Sequence, residues 1–135
     1  MNYRQLLLLA AVFLPFSAAD VGTASSYVPP YLPTNCFGND TSEFPADASF
    51  AAAGAAIWDN GGACGRKYEV RCLSSDTPGA CVSGDVIVMV TVVDQAARLG
   101  SQQSAAAATM SLSETAFRQI ASLDAPAINI EYAVL

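Results

Sequence analysis

The sequence predicts a mainly β protein closed into a barrel, and three observations point that way. Lys67 to Arg71 and Ile128 to Val134 alternate polar and apolar residues with the two-residue period of a half-buried strand. Asp85 to Asp94, DVIVMVTVVD, is a nearly continuous β-branched run, suited to a central strand buried on both faces or curled within a barrel. Helical patterning is confined to two short stretches, and closing short strands on one another removes exposed sheet edges.

The N-terminus reads as a signal peptide over residues 1–19. Arg4 supplies a positive charge, Leu6 to Phe16 an apolar core, and Ser17-Ala18-Ala19 the small residues for cleavage before Asp20. The apolar run falls short of the ~20 residues that a spanning helix needs, and no later segment would span either. Residues 20–135 are then expected as one domain of ordinary size. Export to an oxidising compartment makes disulfides the expected state of the 4 cysteines. Spacing alone leaves all three pairings open. Irregular cysteine spacing and the absence of histidine speak against zinc, so no metal is expected.

The chain carries 6 bases against 12 acids, a net charge of −6, and loss of Arg4 would make it more acidic still. Nucleic acid is thereby disfavoured as a partner. Arg66, Lys67 and Arg71 form the one local basic cluster. It reads either as a solvated strand face or as a contact for an acidic partner such as a pectic chain or a receptor surface.

Taken in order, Val21 to Tyr27 is the first strand, and Pro29-Pro30 and Pro33 turn the chain into a loop. Asn39-Asp40-Thr41 in that loop is an N-glycosylation sequon, which requires surface exposure. Asp47, Ser49 and the alanine-rich stretch through Ile57-Trp58 predict a short capped helix, stopped by Asn60-Gly61-Gly62. Tyr68 and Val70 should face the core from the next strand. Gln95 to Thr109 is low in complexity and reads as a mobile loop, or as a helix from Ala105 onward that lacks an apolar face and a cap. A second helix follows, either with Ser111 and Glu114 as a capping box or with Ser113 as N-cap, and buries Phe117 and Ile120 on one side. Ile128, Ile130, Tyr132 and Val134 line the closing strand.

Several runs, in order, carry a family likeness: Gly22 to Tyr31 with Cys36-Phe37-Gly38-Asn39, then WDNGGACGRKYEVRC from Trp58 to Cys72, then Leu112 to Phe117 with Ile128 to Tyr132. Together they resemble the plant natriuretic peptide and blight-associated EG45-like secreted proteins. That domain is related to the first domain of expansins, to family-45 endoglucanases and to barwin-like proteins. The likeness spans the chain after residue 19 except for residues 95–109. It implies a six-stranded double-psi β-barrel with one or two short helices, bridged Cys36 to Cys64 and Cys72 to Cys81.

The resemblance also bears on chemistry. Related endoglucanases cleave glucan with two carboxylates, one donating a proton and one activating water. The first position falls in Ser25-Ser26-Tyr27-Val28, which offers no acid, and the second in Thr109-Met110-Ser111-Leu112, where Ser111 stands in place of the acid. Serine has no titratable group near neutral pH and cannot act as that proton donor, so the chain is expected not to be an enzyme. The absence of histidine also removes the usual base for a serine or cysteine nucleophile. Gly61-Gly62 and Gly65 suit a tight turn better than a phosphate loop.

Ser25, Tyr27, Asp94 and Ser111 make up the candidate ligand groove that the resemblance implies. Asp94 would either bond sugar hydroxyls or accept backbone amides at its strand end, and Tyr27 matches a groove tyrosine of expansins. Trp58 and Tyr68 are expected in the core. The family's cysteine-bearing loop after the Asp94 position is replaced by Gln95 to Gly100, so a looser loop is expected there. The segment from Tyr27 to Cys72, with Arg66, Lys67 and Arg71, is the part that this group associates with signalling. The expected function is that of a secreted, monomeric, non-catalytic protein of the apoplast or cell wall. It would associate with wall polysaccharide or engage an extracellular receptor in growth, water and ion balance or stress. The alternative is a wall-loosening or polysaccharide-modifying protein of expansin or endoglucanase type. No cofactor is expected.

Overall fold

In the computed structural model, which describes residues 19–102 and 107–135, six strands close into a barrel. They are β1 (Asp20–Tyr27), β2 (Phe50–Ala53), β3 (Lys67–Ser74), β4 (Ile87–Gln95), β5 (Met110–Ser113) and β6 (Ile128–Val134). The order around the barrel is β1-β5-β2-β4-β3-β6. The β1/β5 and β2/β4 seams are parallel, and the other four are antiparallel. The helices are α1 (Ala55–Trp58) and α2 (Glu114–Ile120). The expected signal peptide, save Ala19, lies outside the described residues, as does the start of the helix considered from Ala105.

The inward side chains follow from strand alternation. Ala24, Val70, Val88, Val90, Val92, Met110, Leu112, Ile128 and Ile130 fill the barrel, and Phe117 and Ile120 pack on from α2. Tyr68 and Val70 are buried as the period-two pattern predicts. A second apolar cluster joins Tyr27, Phe50, Ala52, Val93, Ala96 and Leu99, with Tyr31, Phe37 and Phe44 packed against it.

That second cluster explains the first correction. Phe50 to Ala53, expected in a helix, is instead β2. Ala51 and Ala53 face the barrel core while Phe50 and Ala52 face the other cluster, so the strand is buried on both sides. Alanine's intrinsic helix preference, a few tenths of a kcal/mol over ordinary residues, yields to that burial and to pairing with β4 and β5. The helix is left with only Ala55–Trp58, after Gly54, where an added Cβ would lie 2.1 Å from the carbonyl oxygen of Ala108.

Met110 to Ser113 is a strand and not the start of a helix, because Ser111 pairs with Ser25 and with Ala52. Of the two caps considered, Ser113 is the one formed: its Oγ accepts from the Ala116 amide at 3.2 Å. Ala96–Gln102 is a 3-10 helix where a mobile loop was expected, held by buried Ala96 and Leu99. The bridges are Cys36–Cys64 and Cys72–Cys81, the pairing that the resemblance implied. The first ties the loop after β1 to the turn before β3, and the second joins β3 to the segment before β4.

Candidate functional site

Strand register places Ser25, Ser111, Ala52 and Asp94 in one row across β1, β5, β2 and β4. The Ser25 and Ser111 hydroxyls share a hydrogen bond of 2.9 Å, and both residues are fully buried. Asp94 is the only acid in this row. Its Oδ1 accepts from the Asn35 amide at 2.9 Å, from the Gln95 amide at 2.8 Å and from Arg98 Nε at 3.0 Å. Its Oδ2 accepts from Arg98 Nε at 2.8 Å and from Nη2 of the same guanidinium. Between the two readings of Asp94, this geometry is that of a strand-end acceptor. The carboxylate is fully buried, with donors on both oxygens, and holds the 31–37 loop and the 3-10 helix against the barrel.

Tyr27 does not present a ring face to a groove, contrary to expectation. It is 1% exposed, with Tyr31 edge-on at 5.0 Å and Phe50 at 6.3 Å. The proline loop folds Tyr31 back over it, and the Tyr31 hydroxyl donates to the Tyr27 carbonyl at 3.2 Å. Tyr27 Oη has no hydrogen-bond partner among the described residues, and burial, followed by the nearby Asp94 charge, pushes its ionisation well above the ordinary tyrosine range. Burial likewise raises Tyr31.

Arg66, Lys67 and Arg71 do not form a joint cationic surface. Arg66 reaches Tyr68 Oη at 3.5 Å and Asp59 at 3.1 Å. Arg71 pairs with Glu131 at 2.9 Å and Asp85 at 3.1 Å. These contacts raise the ionisation of both guanidinium groups. Lys67 is exposed, and Asn39 of the sequon is exposed in its loop.

A further surface feature is one that the sequence did not disclose. A groove of about 550 Å³ runs beside α1, lined by Trp58, Asp59, Asn60, Arg66, Tyr68 and Gln95 among others. It shares Ala56, Ile57, Arg66 and Tyr68 with a neighbouring depression of about 510 Å³ that reaches Asp20, Tyr132 and Val134. Trp58, expected in the core, is half-buried, packing against the barrel core while lining this groove. Asp59 and Asn60 adopt left-handed backbone at φ 56° and 50°, a conformation that Asp and Asn tolerate better than most residues. The Asn60-Gly61-Gly62 run was the available signal; it was legible as a helix stop, but not as the wall of a cleft. Among the described residues no cluster of at least 3 His, Cys, Asp or Glu side chains could hold a metal ion. No helix among them is long and apolar enough to cross a membrane.

A six-stranded closed barrel with two parallel seams is the architecture of an expansin-related double-psi β-barrel. The family model described as lytic transglycolase, a double-psi β-barrel, matches residues 50–132. An EG45-like domain containing protein of Citrus jambhiri is 38% identical over 117 residues, covering 84% of this chain and 80% of that one. EG45-like domain containing protein 2 of Arabidopsis thaliana is 31% identical, covering 94% of this chain and 89% of its own. The chain belongs to the EG45-like domain family. A mutant Clavibacter michiganensis expansin in complex with cellohexaose shares the fold at a TM-score of 0.61 and 23% identity, over 87% of this chain and 50% of that one. The apo form of that expansin gives a TM-score of 0.55. This chain thus spans about half the length of the expansin chains it matches.

Proposed function

We propose that residues 20–135 are exported as a non-catalytic, expansin-like domain that associates with cell-wall polysaccharide in the apoplast. What supports the non-catalytic reading is the site row: a buried serine pair, at positions that the family likeness matches to the endoglucanase acids, beside a single carboxylate already engaged by Arg98 and two backbone amides. Bond cleavage by the related route requires two carboxylates that can exchange protons with sugar and water. Two disulfides suit an oxidising compartment, and the exposed sequon fits a glycoprotein. An expansin of the same fold was crystallised with cellohexaose, which supports a glycan as the contact.

Receptor signalling is less favoured, because Arg66 and Arg71 are already neutralised by acids on their own surface. The test is sedimentation of purified protein with cellulose, xyloglucan and pectate. Retention on a neutral wall polysaccharide supports the proposal. Retention on none of them, with a response of plant cells to the Tyr27 to Cys72 peptide, moves the function to signalling.

A further inference from the structure

We infer that the glycan-contacting surface of this chain is the groove beside α1, with Trp58 as its stacking platform, and that its ligand is a neutral hexopyranose chain. This rests on the polysaccharide reading above and assigns it a place. Tyr27 and Asp94 are closed to solvent, so a glycan meeting the folded protein needs another surface. The groove offers one of about 550 Å³, continuous with a second depression, within the ~300–1,000 Å³ range of ligand clefts.

Its chemistry suits sugar. An indole that is only half-buried gives an apolar face for a pyranose ring, while Asn60 and Gln95 carry amides that both donate and accept, as sugar hydroxyls require. The wall is also built to hold its shape. Asp59, Asn60 and Gly61 are consecutive residues at positive φ, which turns the chain sharply directly after Trp58. An added Cβ at Gly62 would lie 2.8 Å from Asp59 Oδ2, the same oxygen that holds Arg66 at 3.1 Å. The glycine therefore leaves room for the carboxylate that positions the guanidinium.

Charge selects the ligand class. Asp59 neutralises Arg66, Asp20 lies in the adjoining depression, and the chain carries a net charge of −6. A polygalacturonate would meet no free cation among the groove residues and a repulsive field around them. A neutral glucan has no such cost.

The chain has 1 tryptophan, so its emission reports directly on the groove. Titration with cellohexaose is expected to shift that emission saturably, and an oligogalacturonide of similar length to leave it unchanged. By calorimetry, Trp58→Ala should weaken cellohexaose binding roughly tenfold or more, as truncation of an aromatic anchor does. Trp58→Tyr should recover part of that loss. Asn60→Gly keeps the left-handed backbone while removing the amide, and should weaken binding with an unchanged thermal midpoint. If the protein sediments with cellulose but its emission and the Trp58 and Asn60 variants show no effect, the groove assignment is wrong while the polysaccharide reading stands. If no neutral polysaccharide is bound at all, that reading fails and the groove with it. Tighter binding of the oligogalacturonide than of cellohexaose would overturn the charge selection.

Discussion

Replacing Arg98 with alanine strips the Asp94 carboxylate of its cation. Two amide donors remain, both on Oδ1, and the carboxylate is fully buried. Breaking a buried ion pair from one side costs about 3–5 kcal/mol. Here the Arg98 side chain is 29% exposed, so water can reach the vacated space, and the surviving amide bonds hold part of the charge. A loss of about 2 kcal/mol follows, equivalent to a fall of about 5–10 °C in the thermal midpoint. Asp94→Asn alone should cost a similar amount, whereas the double variant leaves no uncompensated charge. The two substitutions are therefore expected to be non-additive by about 1–2 kcal/mol in a double-mutant cycle. Urea unfolding of the four proteins measures this. Additivity to within about 0.5 kcal/mol would mean that the pair is not formed in solution, and that Asp94 is free to act on a ligand after all.

Three further outcomes follow from packing, ionisation and chain connectivity. Tyr27→Phe removes a buried hydroxyl without a partner among the described residues, and should raise stability at neutral pH by up to about 1 kcal/mol in thermal unfolding. Because burial raises the Tyr27 ionisation above its ordinary 10.0, the group leaves stability independent of pH below 10 and lowers it as the pH rises beyond, so the Phe variant should resist alkaline unfolding to higher pH. Loss of the Cys36–Cys64 bridge, with 28 residues of separation, should cost roughly 3.5 kcal/mol against roughly 2.5 for Cys72–Cys81 with 9, as read from the urea midpoints of the two double-serine variants. Gly54→Ala would place a methyl 2.1 Å from a backbone oxygen and should cost at least about 2–3 kcal/mol, whereas Gly79→Ala, with nothing within 4 Å, meets only the left-handed backbone penalty of about 1–2 kcal/mol.

Four of the six strands were legible: β3 and β6 alternate, β4 is a β-branched run, and β1 is a short segment closed by the prolines after it. The other two were not. Phe50 to Ala53 is four apolar residues buried on both faces and shows no period, whereas Met110 to Ser113 alternates apolar residues with serine over only four positions, and its serines also suit the caps of the helix that follows. Alanine propensity and the serine caps near α2 then pointed locally to helix, and only the neighbouring strands reverse that preference. The disulfide pairing came from family likeness, since spacing left three choices. Of the candidate site, Ser25 and Ser111 are neighbours across β1 and β5, a proximity that no local pattern in the sequence encodes. The burial of Tyr27 was not readable, because it depends on how the proline loop returns Tyr31 over the ring. Trp58 does pack against the core but is only half-buried, and the left-handed turn that follows it is marked in the sequence only as the end of a helix.

Whether the barrel binds polysaccharide without cutting it is decided by counting reducing ends released from xyloglucan and cellulose in the same samples in which bound protein is measured. Protein should be retained on the polysaccharide with reducing ends at the level of the buffer blank. Release above the blank that disappears in Asp94→Asn would contradict it, because a single engaged carboxylate facing a serine pair could not then be the whole of the site.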